Sequence, residues 1–121
     1  MRQSSGFSVL ELLIAISVLS VTLVAALSAF STAYSNVNRS GEDTVAVTLA
    51  KQRYEWLQNQ AFTSAVLSVG TTTETSISGY HGYSRTTLIQ DNSPISGVKR
   101  VTVTVATPAG RSIQLISLRG K

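Results

Sequence analysis

The sequence predicts an α+β fold in which a long N-terminal helix, transmembrane at first and amphipathic further on, packs on a small antiparallel β-sheet. Three observations carry this expectation. From Leu12 to Ala33 the chain runs 22 residues without a charge. Beyond it, Val47, Ala50, Tyr54, Leu57 and Ala61 recur at spacings of three and four, which places them on one face of a helix. Near the end, Val101, Val103 and Val105 alternate with Thr102 and Thr104, the period of a half-buried strand.

The elements follow in order. As a helix, the uncharged run reaches roughly 33 Å, enough for a hydrocarbon core of about 30 Å. Within it Ser17, Val21, Ala25, Ala29 and Ala33 form a stripe of mostly small side chains, the kind of surface that lets helices approach closely. Composition changes from Tyr34 to Gly41, where Ser, Asn and Arg replace the aliphatics. Ser40 followed by Glu42 and Asp43 offers a cap and an acidic first turn, with Gly41 as a kink or short break. The amphipathic helix is expected to run to about Ala65. Lys51 and Glu55, four apart, with Gln52, Gln58 and Asn59, supply a solvated face. Trp56 is expected in the core, with a sheet edge or a neighbouring subunit as the other settings.

After Gly70 the pattern turns to Thr, Ser and Gly. Thr71 to Ser76 has β propensity but little to bury, so it is a solvent-facing strand or a mobile loop. Tyr83 to Gln90 is a better strand, followed by a turn signal in Asp91-Asn92-Ser93-Pro94. Val101 to Val105 leads through Thr107-Pro108-Ala109-Gly110 into Ser112 to Leu118, a hairpin with Ile113 and Leu115 inward. A hairpin alone is marginal, so it needs the amphipathic helix face to cover it. The resulting division is a leader at 1–6, a membrane helix at 7–33, an amphipathic half at 34–68 and a sheet region at 69–121.

Charge and residue types narrow the chemistry. The chain has no cysteine, hence no disulfide, and a single histidine. His81 lies in Gly79-Tyr80-His81-Gly82-Tyr83 without a neighbouring carboxylate, which suits a surface turn better than a general base or metal ligand. Asp91, Asn92 and Ser93 supply one carboxylate and an amide, too few to specify calcium. No catalytic constellation and no cofactor site emerges. Nine of the ten Lys and Arg and five of the six Asp and Glu lie from Arg39 onward. Lys99, Arg100, Arg111, Arg119 and Lys121 concentrate that excess near the end. They suit a solvated rim or an acidic partner subunit, and with Tyr80, Tyr83 and His81 a nucleic-acid surface using phosphate contacts and base stacking.

The most informative residue is Glu11, in Gly6-Phe7-Ser8-Val9-Leu10-Glu11-Leu12-Leu13. A carboxylate at the front of an apolar segment costs a few kcal/mol (roughly 2.5–3.5 by insertion scales at a helix centre), so interfacial placement or a cationic partner is implied. A basic leader ending in Gly6, then Phe7, then Glu11 resembles the type IV pilin family, including the pseudopilins of type II secretion systems. Two plainer readings compete. A secretory signal peptide would be cut near Ala25, Ala29 or Ala33, leaving a small secreted binding domain. A simple single-pass anchor explains the hydrophobicity but not the order Gly-Phe-x-x-x-Glu.

The resemblance implies chemistry done on the chain. A prepilin peptidase and N-methyltransferase would cut between Gly6 and Phe7 and methylate the Phe7 amine, and Glu11 would meet that amine on a neighbouring subunit. In a low dielectric, two opposite charges a few ångströms apart set axial register between greasy helices. The implied partners are the peptidase, other pilins or pseudopilins, the inner-membrane assembly platform and lipid. The implied location is the bacterial inner membrane, N-terminus cytoplasmic and C-terminal domain exported, then a filament. The missing cysteine loop, and Ser28 where main subunits typically carry a helix-bending proline, resemble a minor subunit, of the type I pseudopilin or type V pilin kind. DNA binding, as in minor pilins of natural-transformation machines, is the alternative for Lys99, Arg100, Arg111, Tyr80 and Tyr83.

Overall fold

The computed structural model describes residues 6–120; leader residues 1–5 and Lys121 lie outside them. Its elements are helix α1 (Val9–Gln58), a 3-10 turn (Ala65–Leu67), and strands β1 (Gly70–Glu74), β2 (Ser84–Gln90), β3 (Val98–Ala106) and β4 (Ser112–Gly120). The chain divides into two compact units, Met1–Asn38 and Arg39–Lys121.

In the first unit the described chain is almost wholly α1, and no residue there is buried. This helix is long and apolar enough to cross a membrane. Five of its hydroxyls are satisfied within the helix. Ser17, Ser20, Ser28 and Thr32 donate to carbonyls four residues back and Thr22 to one three back, at 2.8–3.0 Å. That is the arrangement an apolar medium demands, because no water is present to bond a stray hydroxyl.

In the second unit the remaining part of α1 packs on an antiparallel meander of order β1-β2-β3-β4. Register makes the inner face. Arg85, Val105 and Ile113 stand in one row, Thr87, Val103 and Leu115 in the next, and Ile89, Val101 and Ser117 in the third. Against these rows α1 lays Ala46, Leu49, Ala50 and Leu57, and the 3-10 turn adds Leu67. Leu49, Leu67, Val103 and Val105 are the largest fully buried side chains. Thr102 is buried too, on the outer face, where Leu88 and Ile116 flank it in register.

Several expectations are met and several are corrected. Thr71–Glu74 is the solvent-facing strand, paired with β2. The Asp91 turn forms, with Asn92 at φ 53° and its side-chain carbonyl accepting the Gly97 amide at 3.0 Å. The Thr107–Gly110 turn also closes, the Gly110 amide donating to the Thr107 carbonyl at 2.9 Å. Gly82 has φ 79°, and a Cβ there would sit 3.0 Å from the Pro108 side chain, so both backbone and space call for glycine.

Gly41 marks no break, for α1 is continuous through it. A glycine inside a helix costs about 1 kcal/mol, and Arg111 offsets this by bonding the Arg39 carbonyl at 2.8 Å and Asp43 at 2.7 Å. Ser40 is accordingly no cap; its carbonyl accepts the Thr44 hydroxyl. The helix stops at Gln58 rather than near Ala65. Arg119 takes the carbonyls of Leu57 and Gln60, which a continuing helix would have used for the amides of Ala61 and Ser64. The buried face is also rotated from the expected one: Ala46 and Leu49 are buried, Val47 and Ala61 exposed, and Tyr54 half-buried. Trp56 is not core. It is 43% exposed, beneath the Arg53 guanidinium.

Candidate functional site

Two places bear on function, the start of α1 and the cations of the second unit. At the first, Gly6, Phe7 and Ser8 precede the helix and are exposed, Phe7 at 79%. The Ser8 carbonyl accepts the Leu12 amide at 3.1 Å and its hydroxyl accepts the Leu10 amide at 3.2 Å, so Ser8 is the N-cap. Glu11 follows as the acidic residue of the first turn. Ser8 and Glu11 have the spacing of a capping box, and a carboxylate there complements the positive end of the helix dipole. This local role adds to the one expected from charge alone, and the Ser-x-x-Glu spacing carries its signal. Gly6 and Phe7 sit in an accessible, non-helical stretch next to a capped helix.

The cations take a different place from that expected of a binding surface. Lys99 and Arg119 pair across β3 and β4; Arg119 reaches the C-terminal end of α1, and Lys99 the segment that follows it up to the 3-10 turn. Lys99 Nζ donates to the carbonyls of Leu67 at 2.7 Å and Phe62 at 3.3 Å and lies over the Phe62 ring. Arg119 donates to Leu57 at 2.7 Å and to Gln60. The last turn of α1 has no basic residue of its own, so the sheet supplies the charge that its negative end favours. Arg111 reaches Asp43 and Arg39 toward the other end of the sheet, and Arg85 donates to Glu74 at 2.6 Å and to the Leu49 carbonyl at 3.1 Å. The Arg85 hydrogen bond holds the Glu74 carboxyl below its usual pKa of 4.5, against the upward push of burial.

Of the residues expected to share a surface, Tyr80 and Tyr83 do meet, edge to face at 6.4 Å. Burial, then the charges of Glu42 and Asp43, pushes the Tyr83 hydroxyl above its usual 10.0. Arg100 lies on the opposite sheet face from Lys99. Lys99 and Arg111 are not brought together: one bonds the Leu67 carbonyl of the 3-10 turn, the other the Arg39–Asp43 turn of α1. His81 lines a surface depression of the Thr75–Gly82 loop. Among the described residues no group of His, Asp and Glu is arranged to hold a metal ion.

The comparison with protein families decides the class. Residues 1–27 match the prokaryotic N-terminal methylation motif. That motif supports a type IV pilin-like family. The match covers the leader, Phe7, the Ser8–Glu11 turn and most of the apolar run, and the α+β arrangement of helix and sheet agrees with it. No curated protein and no solved structure matches the chain. The motif indicates processing by a prepilin peptidase and assembly with other pilins, and with the apolar helix it fits membrane anchoring.

Proposed function

We propose that this pilin-like chain is a minor structural subunit, cut between Gly6 and Phe7, methylated on Phe7, and built into a filament of the type IV pilus, pseudopilus or competence kind, which it initiates or caps. The observation that carries the reading is the methylation motif of residues 1–27 running directly into an unburied apolar helix. Such a helix gains stability only by meeting lipid or other helices, and a bundle offers the second. Glu11 provides register by pairing with the Phe7 amine of a neighbour. The stripe from Ser17 to Ala33 permits close approach, and Ser17, Val18, Val21 and Thr22 already line a shallow depression.

The minor role is supported by the absence of cysteine and by Ser28 in place of a helix-bending proline. On this reading the N-terminus is cytoplasmic and the second unit is exported. Intact mass and N-terminal sequencing of protein recovered from its native membrane tests the reading. A start at Phe7 with one added methyl is expected. A start between Ala26 and Ser35 would instead mean a signal peptide, and an intact Met1 a plain anchor.

A further inference from the structure

Within the second unit, α1 and β2 form a surface pocket of about 210 Å³ lined by Gln52, Arg53, Trp56 and Arg85. Arg53 and Trp56 are three residues apart and so share a helix face. The guanidinium carbon of Arg53 lies 4.4 Å from the indole centroid. Arg53 makes no ion pair among the described residues, and its Nε has no hydrogen-bond acceptor. Arg85, also lining the pocket, is already bound to Glu74 at 2.6 Å. Two guanidinium charges therefore face one carboxylate.

We propose that this pocket receives a carboxylate side chain from an acidic segment of a partner protein, with Arg53 as its ion-pair donor and Trp56 as the platform for the flanking residue. No residue of the first unit takes part, so the inference stands whether or not the filament reading does. Arg85, Lys99, Arg111 and Arg119 all donate to acceptors of their own fold; Arg53 is held but not neutralised. Stacking fixes the plane of a guanidinium, which reduces the ordering cost of binding and favours the in-plane fork that carboxylates fit. Trp and Arg are also among the residue types enriched at energetically dominant interface positions.

Size and charge choose the occupant. The volume lies below the roughly 300–1,000 Å³ of small-molecule sites and suits the end of one or two side chains. A nucleic-acid backbone needs several uncompensated cations in line, whereas this pocket offers an excess of one and Glu55 stands exposed on the same helix.

Trp56 is the only tryptophan of the chain, so its fluorescence reports on this pocket alone. The full-length chain in detergent micelles is titrated with an acetylated Gly-Asp-Glu-Phe-Glu-Gly peptide, with its Asn/Gln counterpart, and with oligothymidylate. A saturable shift with the acidic peptide alone is expected, weakened about tenfold or more in Arg53→Gln, the factor for losing a hydrogen-bonded charge. Arg53→Lys keeps the charge without the fork and is expected to fall between the two. No saturable shift, equal binding by all three chains, or a stronger response to oligothymidylate overturns the proposal.

Discussion

Glu11 stands in two electrostatic settings, and they make separable predictions. Within one chain it is the acidic residue of a capped first turn. Between chains it is the proposed partner of the Phe7 amine. Replacement by Ala removes both, but the helix-end contribution is only about 0.3–1 kcal/mol, too little to keep a long apolar helix out of the membrane. Glu11→Ala is therefore expected to insert and to be cleaved normally while its recovery in filaments falls sharply, measured by fractionating sheared filaments from membranes. Undiminished incorporation would count against the pairing. Gly6 gives the converse case: a bulky residue there should block maturation, seen as retained leader mass, with insertion intact. Glu74 supplies a pH prediction. Its folded pKa is depressed, so its stabilising contribution is full above the unfolded value of 4.5 and is lost as pH falls through the folded one. Glu74→Gln should flatten the loss of thermal stability expected as pH falls below the unfolded value of 4.5, followed by thermal melts over a pH series.

The helix and strands differ in how far sequence alone revealed them. The Val-Thr alternation of β3 was legible because period two admits a single facing, and Val101, Val103 and Val105 are indeed inward. On α1 the spacing showed that a face exists but not its centre, since apolar residues extend round the helix and the sheet selects Ala46 and Leu49 over Val47. The methylation motif was legible because it is local. The staples were not. Nothing near Leu57 or Gln60 announces that Arg119, some sixty positions away, will take their carbonyls. That cap predicts that Arg119→Ala costs about 1.5–3 kcal/mol, the worth of hydrogen bonds to a charged group, and that the end of α1 frays. Amide exchange of Asn59 to Thr63 should accelerate more than that of β2. In the core, Leu49→Ala removes one of the largest fully buried side chains and should cost about 2–5 kcal/mol, a serious fraction for so small a unit.

At the scale of the whole molecule, the basic composition of the chain has a structural explanation that bears on what it binds. Arg85 and Arg111 are held by Glu74 and Asp43, Arg119 by backbone carbonyls at the end of α1, and Lys99 by those of Phe62 and Leu67 beyond it. Moving any of them to a phosphate would leave those acceptors without their donor, a cost of about 1–3 kcal/mol for each one buried. Among the described residues this leaves Arg39, Lys51, Arg53 and Arg100 without an ion pair, and they do not form a row: Arg100 is on β3, while the others are spread along α1. A duplex binder neutralising Z phosphates shows a salt slope of about −0.9Z. The full-length chain is accordingly expected to bind DNA weakly, with a slope no steeper than about −2 for the one or two free cations a phosphate track can reach together. Fluorescence anisotropy of a labelled duplex over a salt series measures this. A slope of about −4 or steeper would require the stapling cations to leave the fold for the nucleic acid. In that case the cleft between helix end and sheet would have to open, and Arg119→Ala, which already lacks the staple, would bind with a slope shallower by about one.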